Sequence, residues 1–136
     1  MSRICLLVIL LIFCFAVCAP QIFVASAHAD LAGAEASLAK SDYIAAYKEF
    51  KTLSEQGNAR AQYYLGSMYY FGVGITQDKA EAVKWYLKAA EQGDAEAQYE
   101  LGHCYYEGEG VPGNVEEAMK WLRKADEQGY FFGEGG

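Results

Sequence analysis

Few residues in this chain could do bond-making chemistry, and their spacing argues against it. His103 stands beside Cys104, Glu107 and Glu109 follow, and Glu116-Glu117 comes soon after. A histidine next to a cysteine raises two ideas, a metal ligand pair or a nucleophile with its base. Consecutive helix residues point about 100° apart, so these two cannot readily close on one ion. His28 and the remaining cysteines, Cys5, Cys14 and Cys18, fall in an apolar N-terminal stretch, which leaves no second His or Cys for a site. Cys104 is wrongly directed to be activated by His103, and no G-x-S-x-G element is present. The turns Gly72-Val73-Gly74 and Gly108-Glu109-Gly110 lack the G-K-[ST] ending of a phosphate loop. The glutamates read as solvated helix-end charges. The expectation is a chain without metal, cofactor or catalytic residues.

What remains is the chemistry of contact. Arg60, Tyr63, Ser67 and Tyr70, and then Glu96, Tyr99, His103 and Tyr106, follow an i, i+3, i+7, i+10 spacing. That spacing puts each set on one helix face. Tyrosine offers a large, stiff contact area with a polar tip, which suits a binding surface. These eight residues are expected to be exposed and to hold a partner, while Leu65, Gly66, Tyr69 and their equivalents point inward. Tyr63/Tyr99 and Tyr70/Tyr106 also admit a packing role, because both pairs are identical between copies. Arg60/Glu96, Ser67/His103 and Phe71/Glu107 differ, and are the better candidates for selectivity.

The elements that position them come from a repeat. Ala59–Gly93 aligns with Ala95–Gly129 without a gap at an offset of 36 residues, matching Ala61/Ala97, Gln62/Gln98, Leu65/Leu101, Gly66/Gly102, Gly72/Gly108, Trp85/Trp121 and Gly93/Gly129. A period between 20 and 50 residues marks a stacked array. Each unit opens on a cap, Asn58 or Asp94, and runs helical to Phe71 or Glu107. Gly66 and Gly102 sit mid-helix, where the neighbouring helix must approach closely. Asp78 with Glu81 and Asn114 with Glu117 are spaced as capping boxes for second helices that stop at Gly93 and Gly129. Their packing stripes are Ala82, Trp85, Tyr86, Ala89 and Ala90, and Ala118, Trp121, Leu122 and Ala125.

A third, shortened unit precedes them over 30–57. Asp42 caps a helix from Tyr43 to about Gln56, and Ala46, Phe50 and Leu53 form its stripe. The units are thus 30–57, 58–93 and 94–129, giving an all-α solenoid of about six helices in three antiparallel hairpins. The aromatic and glycine-rich tail 130–136 is expected to fold over the edge of Met119–Gln128, because a solenoid end needs shielding. The alternative is a sticky end for self-association.

Residues 1–29 read as a secretory signal peptide: Arg3, a charge-free run Ile4–Ala19, and Ala27-His28-Ala29 as the cleavage motif. An uncleaved anchor, the one route by which this chain would hold a membrane, and lipidation at Cys18 are the alternatives. Export to the periplasm or beyond is the consequence, and Cys104 is left as a small buried apolar residue. The net charge of −7 becomes about −8 once Arg3 is removed. Such a chain would repel phosphates, which excludes nucleic acid and favours a basic or neutral protein partner.

The motif Ala59-x-Ala61-Gln62-x-x-Leu65-Gly66-x-x-Tyr69-x-x-Gly72-x-Gly74, with Lys79-Ala80-x-x-Val83-Lys84-Trp85-Tyr86-x-Lys88-Ala89-Ala90-Glu91-Gln92-Gly93, resembles the Sel1-like repeat, a relative of the tetratricopeptide repeat. The resemblance implies a right-handed α-solenoid whose first helices line a concave side. It also implies action through protein–protein contact as an adaptor or scaffold, with extended peptides held at the positions of the eight residues named above. Disulfide-rich secreted members carry a bridge within each repeat; this chain lacks those cysteines. Rival functions are an envelope hydrolase or ligand-binding enzyme on the same fold, or a structural spacer.

Overall fold

The computed structural model describes residues 31–130, so the leader and the tail beyond Tyr130 lie outside the described residues. Helix α1 covers 31–39 of the described chain. After it come α2 (Tyr43–Glu55), α3 (Ala59–Phe71), α4 (Lys79–Glu91), α5 (Ala95–Glu107) and α6 (Val115–Glu127). There is no strand among the described residues; α3 packs on α4 and α5 on α6, and α1 joins α2 through Ala34, which shares a buried cluster with Ala46 and Phe50. Among the described residues no helix is long and apolar enough to cross a membrane.

Each helix from α2 onward starts where a short polar side chain replaces a missing backbone partner. The side chains of Asp42, Asn58, Asp78, Asp94 and Asn114 accept from the third residue beyond each, at 2.9–3.2 Å. The capping boxes are only half made. The backbone N–H of Asp78 donates to Tyr69 O at 2.9 Å and that of Asn114 to Tyr105 O at 2.8 Å. These donors are satisfied by the loop folding back on the preceding helix, so Glu81 and Glu117 turn outward to Lys84 and Lys120.

The second helix of one hairpin ends in a Schellman closure that also starts the first helix of the next. Gly93 N–H donates to Ala90 O and Asp94 N–H to Ala89 O, both at 3.1 Å, while Asp94 caps α5. Asn58 does the same after α2. One residue thus closes one helix and opens its successor, which fixes the angle between successive hairpins. For α1, Ser41 takes the left-handed position at φ 61° in place of glycine.

Within a hairpin the helices meet at glycine. A Cβ on Gly66 would lie 2.7 Å from Tyr86 Cδ1 and 3.3 Å from Ala82 O; one on Gly102 would lie 2.7 Å from Leu122 Cγ. Two buried clusters result. Ala46, Phe50, Leu53, Ala61, Leu65 and Met68 form the first; Ala82, Val83, Tyr86, Ala89, Leu101, Cys104 and Trp121 belong to the second. Fully burying a side chain such as Phe50 contributes about 1.5–3 kcal/mol. Trp85 and Leu122 are half-buried; Trp85 packs against the first cluster, and Val83 joins the second.

Between hairpins, the loop of one unit docks on the start of the second helix of the unit before. Gly74 (φ 73°) lies against Tyr43, where a Cβ would come within 2.9 Å of the Tyr43 carbonyl oxygen. Gly110 (φ 70°) lies against Lys79, whose carbonyl a Cβ would strike. The G-x-G pattern therefore serves both a turn and a backbone-to-backbone seat.

Candidate binding face

The eight candidate residues lie on α3 and α5, but the structure exposes fewer of them than their spacing predicts. Only His103 and Tyr106 are exposed; Arg60, Tyr63, Ser67, Tyr70, Glu96 and Tyr99 are half-buried. The reason is that these side chains also join helices together. Tyr63 and Tyr70 straddle Tyr86 of α4, with ring centroids 6.1 and 6.4 Å away. Ser67 donates to Tyr63 O at 3.1 Å and accepts from the Tyr86 hydroxyl at 3.2 Å. The Arg60 guanidinium meets the Glu96 carboxylate at 2.6 Å and lies 4.9 Å above the Tyr63 ring. This pair, read from sequence as two independent selectivity positions, is one contact that bridges the two copies.

Tyr70 donates to Glu109, which also receives Lys79 at 2.7 Å. The three form a latch between the second and third hairpins. Hydrogen bonding to Glu109, then burial, raises the Tyr70 phenol above its ordinary range, and the same contacts, Lys79 first, hold the Glu109 carboxyl below its own. Burial, with Glu96 and Glu100 nearby, pushes Tyr63 up to about 12.

On α5, the Tyr99 hydroxyl and His103 Nε2 are 2.7 Å apart, and Tyr130 lays its ring 5.5 Å from that of Tyr99. The first tail residue therefore reaches α5. The expected lid over Met119–Gln128 would be made by the residues that follow Tyr130. Phe131–Gly136 fall outside the described residues, and with them the rest of that expectation.

Cys104 is buried as expected, and burial, with Glu100 and Glu109 near it, pushes its thiol up to about 12. No group of three or more His, Cys, Asp or Glu side chains is placed to hold a metal among the described residues.

Three features escaped the reading of the residues. Gln62 and Gln98, noted only as matches, are buried hydrogen-bonding residues. An open pocket of about 140 Å³ lies between α1 and α3, lined by Leu38, Tyr64, Ser67, Met68, Phe71 and Val73. Glu100 is half-buried where the first copy has Tyr64; burial raises its carboxyl above the usual range, and His103 tempers the rise. The Tyr64/Glu100 mismatch is visible when the two copies are aligned, but only the fold shows that the neighbours of Tyr64 form a pocket.

The fold is that of an all-α helical-repeat array. A sequence model of the Sel1 repeat matches residues 59–94 and 95–134, and the chain belongs to the Sel1 repeat family. It is similar to c5321, a protective antigen present in uropathogenic Escherichia coli strains displaying an SLR fold, at 44% identity and TM-score 0.63, over 64% of this chain and 19% of that one. A Sel1 repeat protein from Oxalobacter formigenes is similar at 36% identity and TM-score 0.61, over 62% and 65%. The cysteine-rich protein B of Helicobacter pylori is similar at 27% identity and TM-score 0.60, over 62% and 63%. The chain thus spans about a fifth of the first and somewhat under two thirds of the other two. A search of curated proteins gives no match. Sel1-repeat folds are typical of protein–protein interaction modules and are generally non-catalytic scaffolds.

Proposed function

We propose that this protein is an exported adaptor, periplasmic or secreted, that binds a protein or peptide along the face made by α1, α3 and α5 and performs no reaction of its own. One observation carries the reading: Phe71 and Tyr106 on this face stay 66% and 57% exposed, and Phe71 lines an open pocket. Large exposed aromatics beside a concavity are the usual anchors of recognition. The half-buried tyrosines behind them hold the face rigid, which lowers the ordering cost of binding. The leader supports export by its charge, apolar run and Ala27-His28-Ala29 motif.

Photo-crosslinking residues placed singly at Phe71, His103 and Tyr106 in the native host, with Glu91 on α4 as control, test this. Crosslinks to one protein from the first three positions and none from Glu91 are expected. Equal crosslinking from Glu91, or none from the three, would refute the binding face. N-terminal sequencing of the exported protein should begin at Asp30.

A further inference from the structure

The 36-residue offset lets the same stretch of the face be compared in its two copies. The positions lining the apolar pocket are Tyr64, Ser67, Met68, Phe71 and Val73; one repeat later they are Glu100, His103, Cys104, Glu107 and Glu109. An apolar seat is thus succeeded, at the equivalent place, by one carrying three carboxylates. Glu109 is already held by Lys79 and Tyr70, and Glu96 close by is held by Arg60. Glu100 has no hydrogen bond or ion pair among the described residues, and His103 lies near it on the next turn.

We infer that the occupant of this face is an extended segment with one apolar side chain and, one repeat along, a lysine or arginine, the first seated among Leu38, Tyr64, Met68 and Phe71 and the second against Glu100. This rests on the adaptor reading above and names the partner's chemistry. A cavity near 150 Å³ holds a benzene ring, so the pocket has room for one phenylalanine or leucine side chain. A carboxylate bonds a cationic donor such as a guanidinium more strongly than a neutral one, and in two-pronged geometry. Tyr63 and Tyr99, both half-buried, lie close enough to Glu100 to feel its charge. A ligand carboxylate there would meet like charge, on a chain whose net charge is already −7.

The test is fluorescence anisotropy on the full chain as exported, using labelled serine-rich peptides that carry phenylalanine and arginine at varied spacing. Matched peptides replace the arginine by citrulline or glutamate, or the phenylalanine by serine. The phenylalanine–arginine peptide should bind tightest, with citrulline about tenfold weaker, as loss of a partly desolvated charge contact implies. Glu100→Gln should erase the arginine–citrulline difference, and Phe71→Ser should weaken every phenylalanine peptide. Glu100→Gln is isosteric and Phe71 is exposed, so helical content by circular dichroism should be unchanged in both. Arginine and citrulline peptides binding alike, or a preference that survives Glu100→Gln, would overturn the inference and leave the adaptor reading standing. So would failure of every peptide to bind while the crosslinks at Phe71, His103 and Tyr106 persist. Loss of those crosslinks would instead bring down the adaptor reading itself.

Discussion

Gln92 donates its side-chain amide to Gln62 Oε1 at 2.7 Å, and Gln128 repeats the contact on Gln98 at 2.8 Å. Each inner glutamine passes the connection on: Gln62 Nε2 donates to Ser54 O at 3.1 Å and Gln98 Nε2 to Ala90 O at 3.0 Å. The end of one hairpin is thereby tied to the end of the next through a buried side chain. A repeat stack is held by interfaces between neighbours, so a polar contact that recurs at each interface sets their register as well as their strength.

Gln62→Leu should cost about 1–3 kcal/mol, since it strips one hydrogen bond from the Ser54 carbonyl and from the Gln92 amide together. Gln92→Ala should cost less, because Gln92 is exposed and its removal breaks one hydrogen bond while Gln62 keeps the one to Ser54. Urea unfolding of both variants checks the order. Equal losses would mean that the buried glutamine does not carry the connection.

The two mid-helix glycines make a second comparison. Alanine at either gains about 1 kcal/mol of helix propensity and meets a side chain at 2.7 Å. Opposite Gly66 that side chain is Tyr86, fully buried and hydrogen-bonded to Ser67, so the ring has nowhere to go. Opposite Gly102 it is Leu122, smaller than tyrosine and only half-buried, so it is less hemmed in than Tyr86. Gly66→Ala should therefore destabilise by about 2–3 kcal/mol and Gly102→Ala by less than about 1 kcal/mol. Thermal unfolding of the pair would show it, and a reversed order would count against the packing account.

The loop glycines divide on backbone grounds. Gly110→Ala forces an alanine into φ 70° and drives its Cβ into the Lys79 carbonyl. Gly113 has no positive φ, and its nearest neighbour to an added Cβ is 3.7 Å away. A loss of about 2–4 kcal/mol is expected for the first and under about 0.5 kcal/mol for the second. Hydrogen exchange of α4 should quicken at its first turn in Gly110→Ala alone, since that is where the loop is seated.

Much of this fold could be read in the residues because its punctuation is local. Asp42, Asn58, Asp78, Asp94 and Asn114 act on backbone a few residues away, and Gly93 and Gly129 end helices without help from elsewhere. The binding face was legible only in part. Helical spacing gives the direction of Tyr63 or Tyr70 from its own axis, but not what lies in that direction. Tyr86 fills the space beside both, and Arg60 meets Glu96 across a 36-residue offset that sequence shows as two separate differences. The pocket beneath Phe71 depends on Leu38 from the shortened unit, whose alignment with the others fades where the chain is abbreviated.

Two glutamates of α5 and its loop should titrate with opposite effects on stability. Glu109 is held below its ordinary value of 4.5 by Lys79 and then Tyr70, so the stability it contributes is present above pH 4.5 and fades as pH falls through its folded value. Glu100 is raised above the same ordinary value, chiefly by burial. Its contribution has the reverse sign: it is complete below pH 4.5 and is lost as pH rises through the folded value, where the ionised group must stay partly dehydrated. Glu109→Gln should therefore lower the unfolding temperature at pH 7, and the deficit should shrink once the pH is taken well below 4.5. Glu100→Gln should raise it at pH 7, with the gain vanishing on approach to pH 4.5 from above. Tyr70→Phe should reproduce part of the Glu109→Gln deficit and its pH dependence, because it removes one of the two donors that keep that carboxylate charged. Melting curves between pH 3 and pH 8 for the three variants decide the matter; a Glu100→Gln protein less stable than wild type at pH 7 would mean that its carboxylate already has a partner within the fold.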